Sequence, residues 1–143
     1  MALHNILGKR GEDYAVNYLR QKGYRVLDRN WKCGDMEIDI VALEKDELVF
    51  VEVKTRSTDA WQNPEDAVDE LRKRRLSRAA NAYIKYHRLD NRYRFDIVGI
   101  VMTDNETRLN HIEEAFTVRS RFIGPNSMRP ESRWTKGYWG KRK

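Results

Sequence analysis

The sequence lacks the features that mark secreted, membrane and disulfide-bonded proteins. Its 143 residues include a single cysteine, Cys33, which excludes an internal disulfide and any metal site built from cysteines alone. No apolar run approaches the roughly 20 residues that span a bilayer. The first residues have neither the charged start nor the apolar stretch of a signal peptide. We therefore expect a soluble, cytoplasmic protein with no membrane contact.

Several catalytic signatures are missing as well. His4, His87 and His111 do not have the short spacing that is typical of zinc ligands. No Gly-rich phosphate loop ending in Gly-Lys is present, and Cys33 has no evident base partner, which argues against thiol catalysis. The favoured interpretation of His111 is structural, and that of Asp96 is a hydrogen-bonded carboxylate within a strand.

Positive charge is abundant but unevenly distributed. Lys and Arg number 28 against 22 Asp and Glu. Residues 119–143 hold eight bases and one acid, a net +7, and residues 1–118 hold 20 bases and 21 acids, a net −1. Since the length suits one domain, we expect a domain at 1–118 and a basic, flexible tail at 119–143. Its cations, with Trp134, Tyr138 and Trp139 among them, can bind phosphates and stack on bases; a solubilising tail is the alternative.

Hydrophobic periodicity predicts two helices and five strands. The first helix spans 7–22, and the second begins at Asn63 or Asp69 and runs to about Tyr86. Strands are expected at 24–30, 36–43, 48–54, 94–102 and 108–116. This order predicts an α/β sandwich with a central, mixed, five-stranded sheet flanked by helices.

The second and third strands form a predicted hairpin that opposes two carboxylates. If the hairpin closes symmetrically, the numbers of paired residues sum to 91, so Asp39 lies opposite Glu52. Like charges at such positions destabilise a sheet, and a divalent cation bound by both carboxylates is a natural reason for them. Lys54 shares the face of Glu52 and can stabilise developing charge. The alternative is an exposed face on which attraction to Lys54 offsets the repulsion.

Two further patterns assign side chains to faces. Alternation along 36–43 predicts that one face of the sheet carries Met36, Ile38, Ile40 and Ala42. Glu12 lies at helical spacing from the apolar stripe of the first helix, so it either reaches the rim of the core or points at a buried group. A solvated glutamate in the first turn, favoured by the helix dipole, is the alternative.

The ordered set of motifs resembles a known family. Asp39 followed by Glu52-Val53-Lys54, with Glu12 upstream on a helix, resembles the PD-(D/E)xK, or restriction-endonuclease-like, nuclease superfamily. The pattern is closer still to the YraN family, a widespread bacterial group described as uncharacterised or endonuclease-like. The resemblance covers roughly residues 8–118, and its runs include Gly8-x-x-Gly11-Glu12, Asn30-Trp31, Glu37-Ile38-Asp39, Phe50-Val51-Glu52-Val53-Lys54 and Arg94-Phe95-Asp96-Ile97-Val98.

The resemblance implies a role for each matching residue. Asp39, Glu52 and the backbone carbonyl of Val53 would bind the metal, Mg²⁺ or Mn²⁺. Lys54 would be the catalytic lysine, and Glu12 would be a helical carboxylate that completes the site, similar to that of archaeal Holliday-junction resolvases. The implied fold is the restriction-endonuclease-like sandwich, and the implied activity is metal-dependent cleavage of DNA, including branched or damaged DNA.

Cations near this site are candidates for contacts with the nucleic-acid backbone. They are Arg56, Arg72, Lys73 and, in the tail, Arg133 and Lys136. The run 72–75 is entirely basic, but successive helical positions are about 100° apart, so its side chains cannot all face one ligand. Two alternatives to a nuclease stay open, a non-catalytic nucleic-acid-binding module with this fold and an adaptor whose tail binds a protein. A homodimer is expected if the substrate is two-fold symmetric.

Overall fold

The computed structural model describes residues 3–57 and 68–117 of the chain. Its helices are α1 (Leu3–Gln21) and α2 (Glu70–His87), and its strands are β1 (Arg25–Cys33), β2 (Met36–Glu44), β3 (Glu47–Arg56), β4 (Tyr93–Met102) and β5 (Thr107–Phe116). The predicted order of elements is confirmed, although α1 begins earlier and β1 ends later than the periodicity indicated. The predicted tail and Asn63, the first of the two predicted helix starts, lie outside the described residues.

The five strands form one mixed sheet in the order β1-β2-β3-β4-β5. Neighbouring strands are antiparallel except for β3 and β4, which run parallel. A parallel pair needs a long crossover connection, and α2 lies in the segment that joins β3 to β4. The predicted mixed five-stranded sheet with flanking helices is therefore confirmed, and its layers suit a nuclease-like sandwich. No helix in the described part of the chain is both long and apolar enough to cross a membrane.

Apolar side chains fill a layer on each side of the sheet. Between α1 and the sheet, the buried residues include Ala15, Val16, Leu19, Val49, Val51 and Val98. Between α2 and the sheet, they include Phe50, Leu76, Ala79, Ala80, Tyr83 and Ile97. Because both faces are covered, the central strands β3 and β4 are almost continuously apolar in their buried stretches. Any polar side chain on these strands therefore lies in or at the rim of a core.

The predicted alternation along β2 is wrong at one point. Ile38 packs in the layer under α2, whereas Ile40 packs in the layer under α1. Between them, Asp39 lies across from Asn30 of β1, whose φ of 50° is left-handed. The alternation of β2 is thus broken between Ile38 and Ile40, at the level of Asn30 on the neighbouring strand. The predicted single face is therefore divided between the two layers. Met36 and Ile38 pack under α2, whereas Ile40 and Ala42 pack under α1.

Helix α1 approaches β3 closely at the buried Gly11. A Cβ atom at this position would lie 2.0 Å from Oγ1 of Thr55 and within 2.9 Å of both of its side-chain carbons. Only glycine permits this approach, because the obstructing atoms belong to a short, β-branched side chain with little freedom to move. Thr55 follows Lys54, so the contact positions the start of α1 beside the carboxyl end of β3.

We expect Gly11→Ala to lower the free energy of unfolding by about 1–3 kcal/mol, the usual cost of overpacking. Gly8→Ala is the matched control, since it makes the same change on the same helix at a site with nothing within 4 Å of the added Cβ. That change should stabilise the protein by about 0.5–1 kcal/mol, because alanine favours a helix. Urea denaturation measures both, and equal effects would show that the approach is not tight.

Candidate active site

The predicted pairing of the β2–β3 hairpin is confirmed, and the candidate site lies where that pairing ends. The ladder extends from the turn to the pair Ile40–Val51. Just beyond this pair, the backbone N–H of Val53 donates a hydrogen bond of 2.9 Å to Oδ2 of Asp39. The side chains of Asp39 and Glu52 are also hydrogen-bonded to each other. The structure thus brings these two carboxyl groups together, as the hairpin pattern predicted.

Glu52 is buried, and two cations contact it. Arg72 binds it in a bidentate manner, with Nε 3.0 Å from Oε2 and Nη2 3.0 Å from Oε1. Lys54 approaches the same carboxylate, its Nζ 3.4 Å from Oε2. Glu52 itself is only 3% exposed, and removing either partner from such a group is expensive. These cations offset the cost of burying a carboxylate beside another acidic group.

Protonation of Asp39 reduces its electrostatic repulsion with Glu52. Burial and, next, the charge of Glu52 raise the pKa of Asp39 to about 8, although the hydrogen bond from Val53 acts in the opposite direction. At neutral pH the Asp39 carboxyl is therefore protonated and can donate the hydrogen bond that joins it to Glu52. A shared proton and two neighbouring cations thus stabilise the opposed pair.

The donor set at the end of the ladder fits a magnesium ion. Mg²⁺ is commonly bound by one or two carboxylates and retains several waters; Asp39 and Glu52 supply two. The N–H and C=O of one strand residue point to the same side, so the carbonyl of Val53 faces the gap into which its N–H points. Within residues 3–57 and 68–117, no group of three or more His, Cys, Asp or Glu side chains is close enough to hold a metal. The ligand roles stay predictions.

Glu12 bonds to two residues of β1 and not to the acidic pair. Its Oε1 accepts hydrogen bonds from Nη2 of Arg29 at 3.1 Å and from Nδ2 of Asn30 at 2.8 Å. Asn30 stands across the β1–β2 ladder from Asp39, between the pairs Arg29–Ile40 and Trp31–Ile38. The Glu12 side chain is 12% exposed, so it does not face bulk solvent. Its predicted place within one water of the metal stays a prediction.

The predicted nucleic-acid contacts lie in different surroundings. Lys73 forms an ion pair of 3.3 Å with Glu70, and its Nζ lies 5.6 Å from the centre of the Phe116 ring. Arg56 is exposed at the end of β3. Arg72 is bound to the Glu52 carboxylate through two hydrogen bonds. Arg133 and Lys136 lie outside the described residues.

Sequence reasoning missed the Arg72–Glu52 contact. Asp69 is the N-cap of α2, and its side chain accepts a hydrogen bond of 2.8 Å from the backbone N–H of Arg72. The predicted helix start at Asp69 is thus confirmed, and this cap sets Arg72 in the first turn. No signal in the sequence shows where that turn lies relative to β3, so the contact needed the tertiary structure.

A second polar cluster joins α1 to β4 and β5. Asp96 is fully buried and accepts hydrogen bonds from Nε of Arg94 at 2.9 Å and from the backbone N–H of Glu114 at 3.0 Å. His111 lies between Asp96, 2.7 Å from its Nε2, and the hydroxyl of Tyr18, 2.9 Å from its Nδ1. Burial alone would raise the pKa of Asp96, but the bonds from His111 and Arg94 outweigh it and lower that pKa. The prediction that Asp96 is a hydrogen-bonded carboxylate within a strand is confirmed, and His111 belongs to the same hydrogen-bond network.

Asp39→Asn should remove a specific pH dependence of stability measured in the presence of a chelator. The folded protein holds the Asp39 proton up to pH about 8, whereas the unfolded chain releases it near pH 3.8. The free energy of unfolding contributed by this group therefore falls as pH rises between these values and is constant above them. The difference between parent and Asp39→Asn, measured by urea denaturation, should follow that course. The exposed Asp35→Asn is the control, and an equal pH course for both variants would contradict the assignment.

Comparisons with known proteins identify the family of this chain. A profile of the uncharacterised protein family UPF0102 matches residues 11–100, the stretch that contains Glu12, Asp39, Glu52 and Arg72. A UPF0102 protein of Bacteroides thetaiotaomicron is 49% identical over 116 residues, which cover 81% of this chain and 96% of that protein. UPF0102 proteins of Parabacteroides distasonis, with 47% identity and coverage of 81% and 96%, and of Porphyromonas gingivalis, with 42% identity and coverage of 81% and 87%, are similar too. The chain therefore belongs to the uncharacterised protein family UPF0102, the YraN family.

Proposed function

We propose that this protein is a metal-dependent endonuclease that cleaves DNA, including branched or damaged DNA. The observation that carries the proposal is the pair of opposed carboxyl groups, Asp39 and Glu52, gathered at the open end of the β2–β3 ladder. A stable sheet has no need for this arrangement. Two such groups beside a lysine are, however, suited to binding a metal and a phosphate together.

In this proposal Asp39, Glu52 and the carbonyl of Val53 hold Mg²⁺ or Mn²⁺. When bound, the metal polarises the scissile phosphate and acidifies a water. Lys54 is 26% exposed and adjoins Glu52, so its ammonium group can reach the solvent side of the site and stabilise charge on the phosphate. The Arg72 guanidinium group donates two hydrogen bonds to Glu52. It can donate to a phosphate oxygen instead when the Glu52 carboxylate turns toward a metal.

Other groups would place the substrate. Glu12, tied to Asn30 across from Asp39, would complete the carboxylate set through a bridging water. Arg56 and Lys73, with Arg133 and Lys136 of the tail, would contact backbone phosphates. A two-fold symmetric substrate would bring two copies of the chain together as a homodimer. A DNA substrate also agrees with the cytoplasmic location that the composition predicts.

The direct test is incubation of the pure protein with labelled linear, nicked and four-way DNA. Cleavage of any form with Mg²⁺ or Mn²⁺, and its loss with chelator, would support the proposal. The melting temperature measured at rising metal concentration gives an independent readout, since a ligand that binds the folded state raises it by mass action. If no DNA form is cut and neither metal changes the melting temperature, the endonuclease proposal fails.

A second candidate is a DNA-binding module with this fold and no catalysis. The observation in its favour is that Arg72, Lys54 and the Asp39 proton already stabilise the acidic pair without a metal. This candidate predicts DNA binding that is the same with Mg²⁺ and with chelator, and no cleavage. The two functions therefore differ in the metal dependence of both melting temperature and turnover.

A further inference from the structure

The outer face of α2 carries a row of cations that the proposed cleavage site does not use. We call Arg74, Arg75, Arg78 and Lys85 the cationic face of α2. All four are exposed, and they lie opposite the face that packs on the sheet through Leu76, Ala79, Ala80, Tyr83 and His87. Among the residues that the structure describes, none of the four forms an ion pair with a carboxylate.

The cationic face begins in the first turns of α2, and the sheet-facing side of the first turn contacts the acidic pair through Arg72. Arg72, which contacts Glu52, lies two residues before Arg74 in the first turns of the helix. From Arg74 to Lys85 the helix rises roughly 16 Å at about 1.5 Å per residue. At about 3.4 Å per nucleotide of one strand, this length corresponds to about five nucleotides. Two residues turn a helix by about 200°, so a strand with a phosphate at the acidic pair reaches this face by passing around the first turn of α2.

An exposed aromatic side chain lies at the far end of this face. Tyr86 is 75% exposed, and its ring centre lies 6.5 Å from that of Trp31 on the edge strand β1. An exposed aromatic ring is a platform for an unpaired base, whereas a paired base already stacks within its duplex. Charge along the helix and a ring at its end together match a single strand.

We propose that the cationic face of α2 and Tyr86 bind a single-stranded stretch of the nucleic-acid substrate that leads away from Asp39 and Glu52. The identity of this substrate rests on the proposed function, but the binding itself needs no metal. An anionic membrane surface fits less well, because a helix that lies in a membrane needs a broad apolar face. Here Leu71 and Tyr86, near the two ends, are the exposed large hydrophobic side chains of α2.

The test measures binding in chelator, so that no cleavage takes part. Binding of a labelled single-stranded oligonucleotide, at about 50 to 200 mM salt, is compared for the parent and for R74Q/R75Q/R78Q/K85Q. We expect the slope of log affinity against log salt to fall by about 3, because each lost phosphate contact contributes about 0.7 for a single strand. Tyr86→Ala should weaken single-strand binding by roughly tenfold and leave a blunt duplex unaffected.

Matched controls separate this surface from overall charge. The variant K9Q/R10Q/R20Q/R25Q removes four exposed cations on α1 and β1 and changes the net charge by the same amount. Tyr14→Ala removes an aromatic side chain of α1 that is 40% exposed. Both controls should retain the parental slope and affinity for the single strand. Circular dichroism confirms that each variant is folded.

Several outcomes would overturn the inference. Equal loss of slope in both quadruple variants would show that only net charge matters. Unchanged binding by R74Q/R75Q/R78Q/K85Q would place the contact elsewhere. If the parent binds anionic lipid vesicles and R74Q/R75Q/R78Q/K85Q does not, while both bind the oligonucleotide equally, the face is a membrane contact. Failure of metal-dependent cleavage leaves this assay untouched, so the inference and the proposed function fail separately.

Discussion

Glu52→Gln is expected to abolish DNA cleavage and the stabilisation that Mg²⁺ gives to the folded protein. The substitution keeps the shape of the side chain but removes one of the two carboxylates that would bind the metal. The parent should gain about 2.7 kcal/mol of unfolding free energy at a metal concentration one hundred times its dissociation constant, and the variant should gain little. Cleavage should fall more than about a hundredfold, because a bound metal supplies several kcal/mol to the reaction.

Glu70→Gln is the matched control for this experiment. Glu70 is an exposed carboxylate in the first turn of α2, with a side chain 79% exposed, so the same chemical change there should affect neither metal binding nor cleavage. Because Glu52→Gln also disturbs the bidentate contact with Arg72, Asp39→Asn provides a second removal of a ligand. Both ligand variants should bind DNA in chelator about as well as the parent.

Lys54→Met separates the reaction from the metal. Its ammonium group contacts Glu52 but is not a proposed ligand, so the stabilisation by Mg²⁺ should persist while cleavage is lost. If Glu52→Gln cuts DNA as well as the parent does, the acidic pair is only a charged part of the sheet. If Lys54→Met loses the metal response as well, the lysine acts through the position of Glu52 and not on the phosphate.

The meeting of Asp39 and Glu52 was predictable because it depends on local geometry. A short polar turn fixes the register of a hairpin, and the side-chain period of a strand then determines which residues oppose one another. The same period failed between Ile38 and Ile40, which pack on opposite sides of the sheet at the level of the left-handed Asn30 of β1. The sequence has no glycine or proline there to signal the change.

Contacts between distant elements were not predictable in the same way. Arg72 reaches Glu52, and Arg29 reaches Glu12, only because helices and strands pack at particular heights and angles. The resemblance to the family identified Glu12 as part of the site, but neither spacing nor periodicity named its partners. Gly11 illustrates the reason. The distance between α1 and β3 depends on the absence of a side chain at this one position, next to Thr55.

Arg94 is the residue at which substitution should reduce stability most. Its Nη1 lies 2.8 Å from carboxylate oxygens of both Glu44 and Glu47, and its Nη2 donates to the Tyr24 hydroxyl at 2.7 Å. Together with its bond to Asp96, these contacts join the turn of the β2–β3 hairpin to β4 and to the start of β1. The Arg94 side chain is 8% exposed and that of Asp96 is 0% exposed. Solvent therefore cannot replace the guanidinium group if it is removed.

We expect Arg94→Met to lower the free energy of unfolding by about 3–5 kcal/mol at neutral pH, the usual cost of leaving a buried charge without its partner. The exposed Arg25→Met at the start of β1 should change it by less than about 0.5 kcal/mol. Urea denaturation of both variants measures the difference. A loss for Arg94→Met as small as that of the control would show that His111 and the Glu114 amide suffice to stabilise Asp96.

The effect of Arg94→Met should also depend on pH, with a sign that follows from Asp96. Hydrogen bonds from His111 and Arg94 outweigh burial and lower the pKa of Asp96 below its usual 3.8. The stabilisation they provide is therefore present above pH 3.8 and is lost as pH falls through the lower, folded-state value. In Arg94→Met the pKa of Asp96 is lowered by a smaller amount, so the variant loses less unfolding free energy than the parent as the pH falls. The gap between parent and variant should accordingly narrow below pH 3.8, and a gap that stays constant would mean that Arg94 contributes by packing and not by its charge.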